Sequence, residues 1–168
     1  MGTKQLTLCA VLTALALALG VMEQSIPAAV IPVPGVKLGL ANIVTLFALY
    51  ALGPGQALMI LAARCLLGSM FAGNLNALLF SLLGGLAAMG TMILLARTGR
   101  FSVYGVSAGG AAAHSCGQMA AAVLTLGNTA PLRYLPVLLG VSLLTGALTG
   151  LAASCLFRAL AHTNFRKG

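Results

Sequence analysis

Acidic residues are almost missing from this chain. A single glutamate, Glu23, stands against nine lysines and arginines, and there is no aspartate. One carboxylate cannot assemble the clustered acids that hold a catalytic divalent metal, and a lone acid offers no proton relay. Charge of either sign is scarce: 6% of residues are charged, where a soluble domain carries about 25%. Too little polar surface exists to cover a water-soluble globule. The few basic residues stand singly between apolar runs, which argues against a nucleic-acid surface. The four cysteines, Cys9, Cys65, Cys116 and Cys155, form no CxxC pair. They read as small buried apolar residues, with no metal site and no disulfide. No GxxxxGK[ST] loop is present, so the chain carries no phosphate cradle of its own for a nucleotide. Internal repeats, soluble domains and long linkers are also lacking.

What remains is hydrocarbon. The 168 residues are 60% hydrophobic, with a mean hydropathy of +1.07. This length and composition predict a single integral membrane domain, residues 1–168, of the all-α class. A spanning helix takes roughly 20 apolar residues, with a range of about 17–25. Six candidate spans follow: Gln5 to Met22, Leu38 to Leu52, Gln56 to Phe71, Ala77 to Ala96, Gly105 to Leu126 and Tyr134 to Leu160. The second is short. The breaks between them are Gly53-Pro54-Gly55, the loop Gly73 to Asn76, Arg97 to Arg100, and the loop Gly127 to Arg133. Lys4 before the first apolar run imitates a signal peptide, but no clear small-x-small site follows directly, and the run reads as a retained helix.

Six spans put both termini on one side. Lys4, Arg97, Arg100, Arg158, Arg166 and Lys167 share that side, with Lys37 and Arg133 opposite. The excess of positive charge places both termini in the cytoplasm. The segment Glu23 to Thr45, the loop Gly73 to Asn76 and the loop after the fifth span then share the outer face.

That first segment, EQSIPAAVIPVPGVKLGLANIVT, organises the chain. Pro27, Pro32 and Pro34 disfavour helix and predict an extended stretch, which survives at membrane depth only where protein or water covers it. We expect it to fold over one end of the bundle and form part of a ligand site. Arg64 lies near the middle of the third span, where a charge costs about 2.5–3.5 kcal/mol on insertion scales. It binds an anion, pairs with Glu23, or snorkels to the interface. Lys37 and Asn42 are further candidates, Lys37 also reading as an interfacial lysine. Glu23 pairs with Lys37 or Arg64, or meets a ligand directly. His114 and Gln118 are one turn apart and face the same way. They serve a ligand or hydrogen-bond between helices. Small residues recur every four positions at Ala10, Ala14 and Ala18, and again at Ser142, Gly146, Gly150 and Ser154. Both faces permit close helix approach, inside the bundle or, for the first, against a partner.

The stretches PGVKLGLANIVTLFALY, FSLLGGLAAMG and AAAHSCGQMAAA, together with Arg64, resemble the bacterial membrane family called Gx transporter, or heptaprenyl diphosphate synthase component I. The resemblance runs over most of the chain. His114 and Gln118 match the family's His and Gln, while Ser115 stands where Asn is expected. The family looks akin to the substrate-binding S components of energy-coupling factor transporters, six-helix membrane proteins that capture vitamins and related molecules from outside. Those proteins dock a transmembrane coupling subunit, driven by ATPases, through an AxxxA face on the first helix, and Ala10, Ala14 and Ala18 match that pattern.

The resemblance therefore implies an S-component-like bundle in the bacterial cytoplasmic membrane. It would be the substrate-binding subunit of an uptake system for a small anionic, vitamin- or cofactor-like molecule. The candidate binding set is Glu23, Lys37, Asn42, Arg64, His114 and Gln118, with no cofactor. Partners are the ligand, the lipid bilayer and a coupling subunit with ATPases, and not nucleic acid. Prenyl elongation needs Mg²⁺ held by clustered carboxylates, so the synthase name implies at most a non-catalytic membrane subunit associated with polyprenyl diphosphate or quinone synthesis. A stand-alone solute transporter is the third reading. None of the three is an enzyme.

Overall fold

A computed structural model of the chain describes residues 2–24, 40–73 and 75–161. Among these residues there are six α-helices and no strand. They are α1 (Thr3–Gln24), α2 (Leu40–Ala51), α3 (Pro54–Ala72), α4 (Leu75–Thr98), α5 (Val103–Leu126) and α6 (Leu135–Ala161). Each begins and ends within three residues of the span expected from the sequence. The loop expected from Gly127 to Arg133 is partly ordered: Ala130–Tyr134 forms a 3₁₀ helix leading into α6. The proline segment, including Lys37, lies outside the described residues, so its expected extended form is not addressed by the structure.

Local chemistry explains the helix ends. Gly53, at φ 99°, turns the chain after α2, and Pro54 opens α3 at the position where a missing N–H costs nothing. Ser102 caps α5 by accepting a hydrogen bond from the Gly105 amide at 3.3 Å. Gly127, at φ 64°, closes α5 with a left-handed residue.

Four helices, α1, α3, α4 and α6 with its leading turn, are long and apolar enough to cross a membrane. The other two differ for separate reasons. α2 has 12 residues, about 18 Å at 1.5 Å per residue, short of a hydrocarbon core of about 30 Å. α5 has 24 residues, ample length, but it carries the chain's densest run of Ser, His, Gln and Gly.

The helices follow one another as neighbours. α4 packs on α5 and α5 on α6, while α1 rests on α2 and α3, and α2 meets α6. The last contact is a stack of Phe47 on Phe157, with ring centroids 5.3 Å apart. The core between them centres on Leu46, Ile60, Leu61, Met89 and Val106. α1 contributes Cys9, Leu12 and Ala16 to this core. Its remaining face, including Ala10, Ala14 and Ala18, is exposed.

The α5–α6 seam is built differently. A Cβ on Gly146 would sit 2.7 Å from Ala108 Cα, and one on Gly150 2.9 Å from Tyr104 Cα. Hydroxyl pairs run along the close approach. Ser154 donates to Leu151 O and Thr149 to Gly146 O. Tyr104 therefore donates to Ser154 at 3.0 Å, and Ser107 to Thr149 at 2.8 Å. By the same logic Ser142 donates to Leu138 O, leaving Ser115 to donate to Ser142. These pairs satisfy polar groups that lipid cannot solvate. The expectation that Ser142, Gly146, Gly150 and Ser154 pack inside the bundle is met. One cysteine expectation needs correcting. Cys9 and Cys65 are buried, but Cys116 and Cys155 are exposed, because they fall on the sides of α5 and α6 that face away from the seam.

Candidate functional site

The α2–turn–α3 hairpin sets the first group of polar side chains. Asn42 stands eleven residues before Gly53 and Arg64 eleven after it. In two antiparallel helices joined at that turn, equal separation puts both residues at one depth, about 16 Å from the turn. The structure shows the consequence. The Arg64 guanidinium donates from Nη2 to Asn42 Oδ1 at 3.1 Å. Its Nε is buried and makes no hydrogen bond among the described residues. Glu23, in the last turn of α1, lies close enough for its charge to act on the same guanidinium. Next to Arg64 on α3, the Cys65 thiol donates to the Ser81 carbonyl of α4 at 3.5 Å, fixing this part of α3 against its neighbour.

The second group is on α5. His114 and Gln118 share one face, as their spacing requires, and that face meets Gly84 of α4. A Cβ on Gly84 would lie 2.9 Å from both Gln118 Cγ and His114 Cε1. Glycine at this position makes the room that the two polar side chains occupy. Gln118 is buried. Gly117 permits the approach from the other side, because a Cβ there would collide with the Leu83 carbonyl and lie 2.9 Å from Gly84 Cα.

The paired glycines of α4 link the two groups. Gly84 faces His114 and Gln118, while Gly85 faces Leu61 of α3, one turn before Arg64. Of the residues expected to form a site, the structure joins Asn42 to Arg64 directly, brings Glu23 within electrostatic reach of Arg64, and sets His114 and Gln118 together on α5 against Gly84 of α4. Lys37 lies outside the described residues. Ala10, Ala14 and Ala18 form a separate, exposed stripe on α1.

Two features were missed in the sequence. The Asn42–Arg64 contact was legible in their equal distance from Gly53, a signal that was not used. The role of Gly84 had no signal of its own, since one glycine in FSLLGGLAAMG looks like another until α5 lies against it.

Comparison with known proteins agrees with the resemblance drawn above. The family described as heptaprenyl diphosphate synthase component I matches residues 12–156, from the first half of α1 into the last turns of α6. No curated protein matches the chain, and no solved structure does.

Proposed function

We propose that this chain, which belongs to the heptaprenyl diphosphate synthase component I family, is the substrate-binding membrane subunit of an uptake system for a small anionic molecule. The observation that carries this reading is Arg64. A guanidinium in the middle of a 19-residue apolar helix is costly to insert. It is oriented by Asn42, yet keeps a buried Nε–H without an acceptor among the described residues. An anionic ligand supplies that acceptor, and charge-assisted bonds from arginine are strong and often bidentate. Glu23 modulates the charge at the site. His114 and Gln118 add polar contacts from α5, and Lys37, outside the described residues, adds positive charge.

In this reading the bundle crosses the bacterial cytoplasmic membrane six times. Both termini are cytoplasmic, with the exposed Lys4, Arg97, Arg100 and Arg158 on that side. The exposed stripe Ala10, Ala14 and Ala18 docks a coupling subunit served by ATPases. The chain itself performs no catalysis, since its one acid cannot hold the metal cluster that prenyl transfer requires.

The test is native purification in mild detergent, with mass spectrometry of what accompanies the chain. A small anionic molecule, retained by the wild type and lost in Arg64→Gln, together with a transmembrane subunit and ATPases, is the expected result. A soluble prenyl synthase in their place, with no small molecule, would instead make the chain a non-catalytic subunit of polyprenyl diphosphate synthesis. The family's description supports that second reading.

A further inference from the structure

An arginine side chain only donates; it has no acceptor of its own. The group that holds it must therefore present oxygen. For Arg64 that group is neutral: Nη2 donates to the side-chain carbonyl of Asn42 at 3.1 Å. Aspartate has the shape of asparagine and would bind the guanidinium more strongly, often through two parallel bonds. It would also neutralise the charge and occupy a second N–H of the fork. The amide fixes the orientation through one bond and leaves the charge in place.

The surroundings of Asn42 fit that task. Its backbone carbonyl accepts from the buried Thr45 hydroxyl at 3.2 Å, which ties it to the next turn of α2. Because Oδ1 faces the arginine, the NH₂ group takes the other branch of the amide and adds donors to the cluster. Arg64 Nε–H, buried and without an acceptor among the described residues, belongs to the same cluster. Arg64 and Asn42 together therefore suit a group that accepts and does not donate.

The charges point the same way. Glu23 acts on the Arg64 guanidinium, so with asparagine in place one positive charge stands against one negative charge. With aspartate in its place, two carboxylates would stand against one guanidinium, and the site would repel an anion. In a low-dielectric interior that reversal acts far more strongly than in water.

We infer that Asn42 sets the specificity of the Arg64 site for an anion, as a neutral acceptor that positions the guanidinium without neutralising it. This rests on the reading of Arg64 as the anion-binding residue. It goes beyond that reading in giving the choice between anion and cation to a second side chain. Asn42 is then a positioning residue, its oxygen committed to the arginine and not to the ligand.

The experiment uses the full chain in phosphatidylcholine nanodiscs, with isotope-labelled arginine side chains observed by nuclear magnetic resonance. The Nε–H signal of Arg64 is the one that vanishes in Arg64→Lys. Acetate and inorganic phosphate are the probes, and methylammonium is the cationic comparator. In the wild type one or both anions should shift this signal saturably, and methylammonium should not. Asn42→Ala keeps the charge and loses the positioning bond, and should weaken anion binding by about threefold, a fraction of one hydrogen bond. Asn42→Asp should weaken it by about tenfold or more, the scale of a lost charged hydrogen bond, while the melting temperature holds or rises. A merely structural asparagine predicts the reverse order, since alanine removes more than aspartate does. Asn128→Asp makes the same change of charge on the exposed loop after α5 and should leave anion binding unchanged. Anion binding in Asn42→Asp as tight as in Asn42→Ala or tighter would overturn the inference and leave the anion reading of Arg64 standing. So would a melting temperature well below the wild type in Asn42→Asp, or an equal loss of binding in Asn128→Asp. If neither anion moves the wild-type signal, the anion reading itself falls and the inference falls with it.

Discussion

On α6, a Cβ at Gly146 would sit 2.7 Å from the backbone of α5; on α1, Ala14, in a stripe of the same four-residue spacing, is exposed. The sequence presents the two stripes as equivalents. What separates them is what stands opposite. α5 offers Ser107, Ser115 and Tyr104 to the hydroxyls of α6, so closing that seam satisfies polar groups as well as packing. α1 already has its inner face filled by Cys9, Leu12 and Ala16, and on its exposed side the Thr7 hydroxyl donates to its own helix, at Thr3 O.

The difference extends to the two halves of the bundle. Across α4, α5 and α6, small residues bring backbones together, and the Ser, Thr and Tyr hydroxyls bond to one another. Across α1, α2 and α3, the contacts are between side chains, and Arg64 keeps a buried donor without an acceptor among the described residues. One half spends its hydroxyls on structure, although His114 and Gln118 also lie there. The other holds a polar residue in reserve, which is the pattern expected where a ligand completes the site.

The sharpest break of this contrast is Gly117→Val. Its side chain would meet the Leu83 carbonyl and Gly84 backbone, neither of which can rotate away. A loss of about 3 kcal/mol is expected, at the upper end for overpacking a core, measured by thermal unfolding in detergent. If the variant melts like the wild type, α4 and α5 are not in backbone contact there, and the division of the molecule into a closed and an open half fails.

Arg64→Gln tests the open half. Stability should hold or rise slightly, because a buried charge is removed, while affinity for the co-purified molecule falls by about 2 kcal/mol, roughly thirtyfold. Arg64→Lys should lie between, since it keeps the charge and loses the planar fork. Unchanged affinity with a large loss of stability would make Arg64 a structural partner of Glu23 and erase the contrast.

A double-mutant cycle on Ser107→Ala and Thr149→Val measures one hydroxyl pair of the closed half. The expected coupling is about 0.6 kcal/mol, the average for such bonds between membrane helices. A coupling near zero would assign the seam to close packing alone.

Ala14→Leu should have the smallest effect on the fold, within about 0.5 kcal/mol, because the added atoms project from an exposed face. Co-purification of a coupling subunit should be lost at the same time. Misfolding would show that the stripe is covered within this chain after all.

Much of this was legible from residues alone. Composition and the lengths of apolar runs gave the all-helical class, the six helices and their limits, because a helix in lipid must satisfy its own backbone and its extent is therefore written in its own residues. The four-residue spacing put His114 and Gln118 on one face, as found. Arg64 stood out because a charge inside an apolar run is conspicuous wherever its neighbours lie. The partners of these residues were a different matter. Whether Ala14 or Gly146 is covered, which glycine makes room for His114, and that Arg64 reaches Asn42 all depend on which helices are adjacent and how far each is rotated about its axis. In a soluble protein the apolar stripe of a helix would have announced that rotation. Here every face is apolar, so the rotation was decided by fit between helices, by the glycines that let backbones close and by the hydroxyls that needed one another.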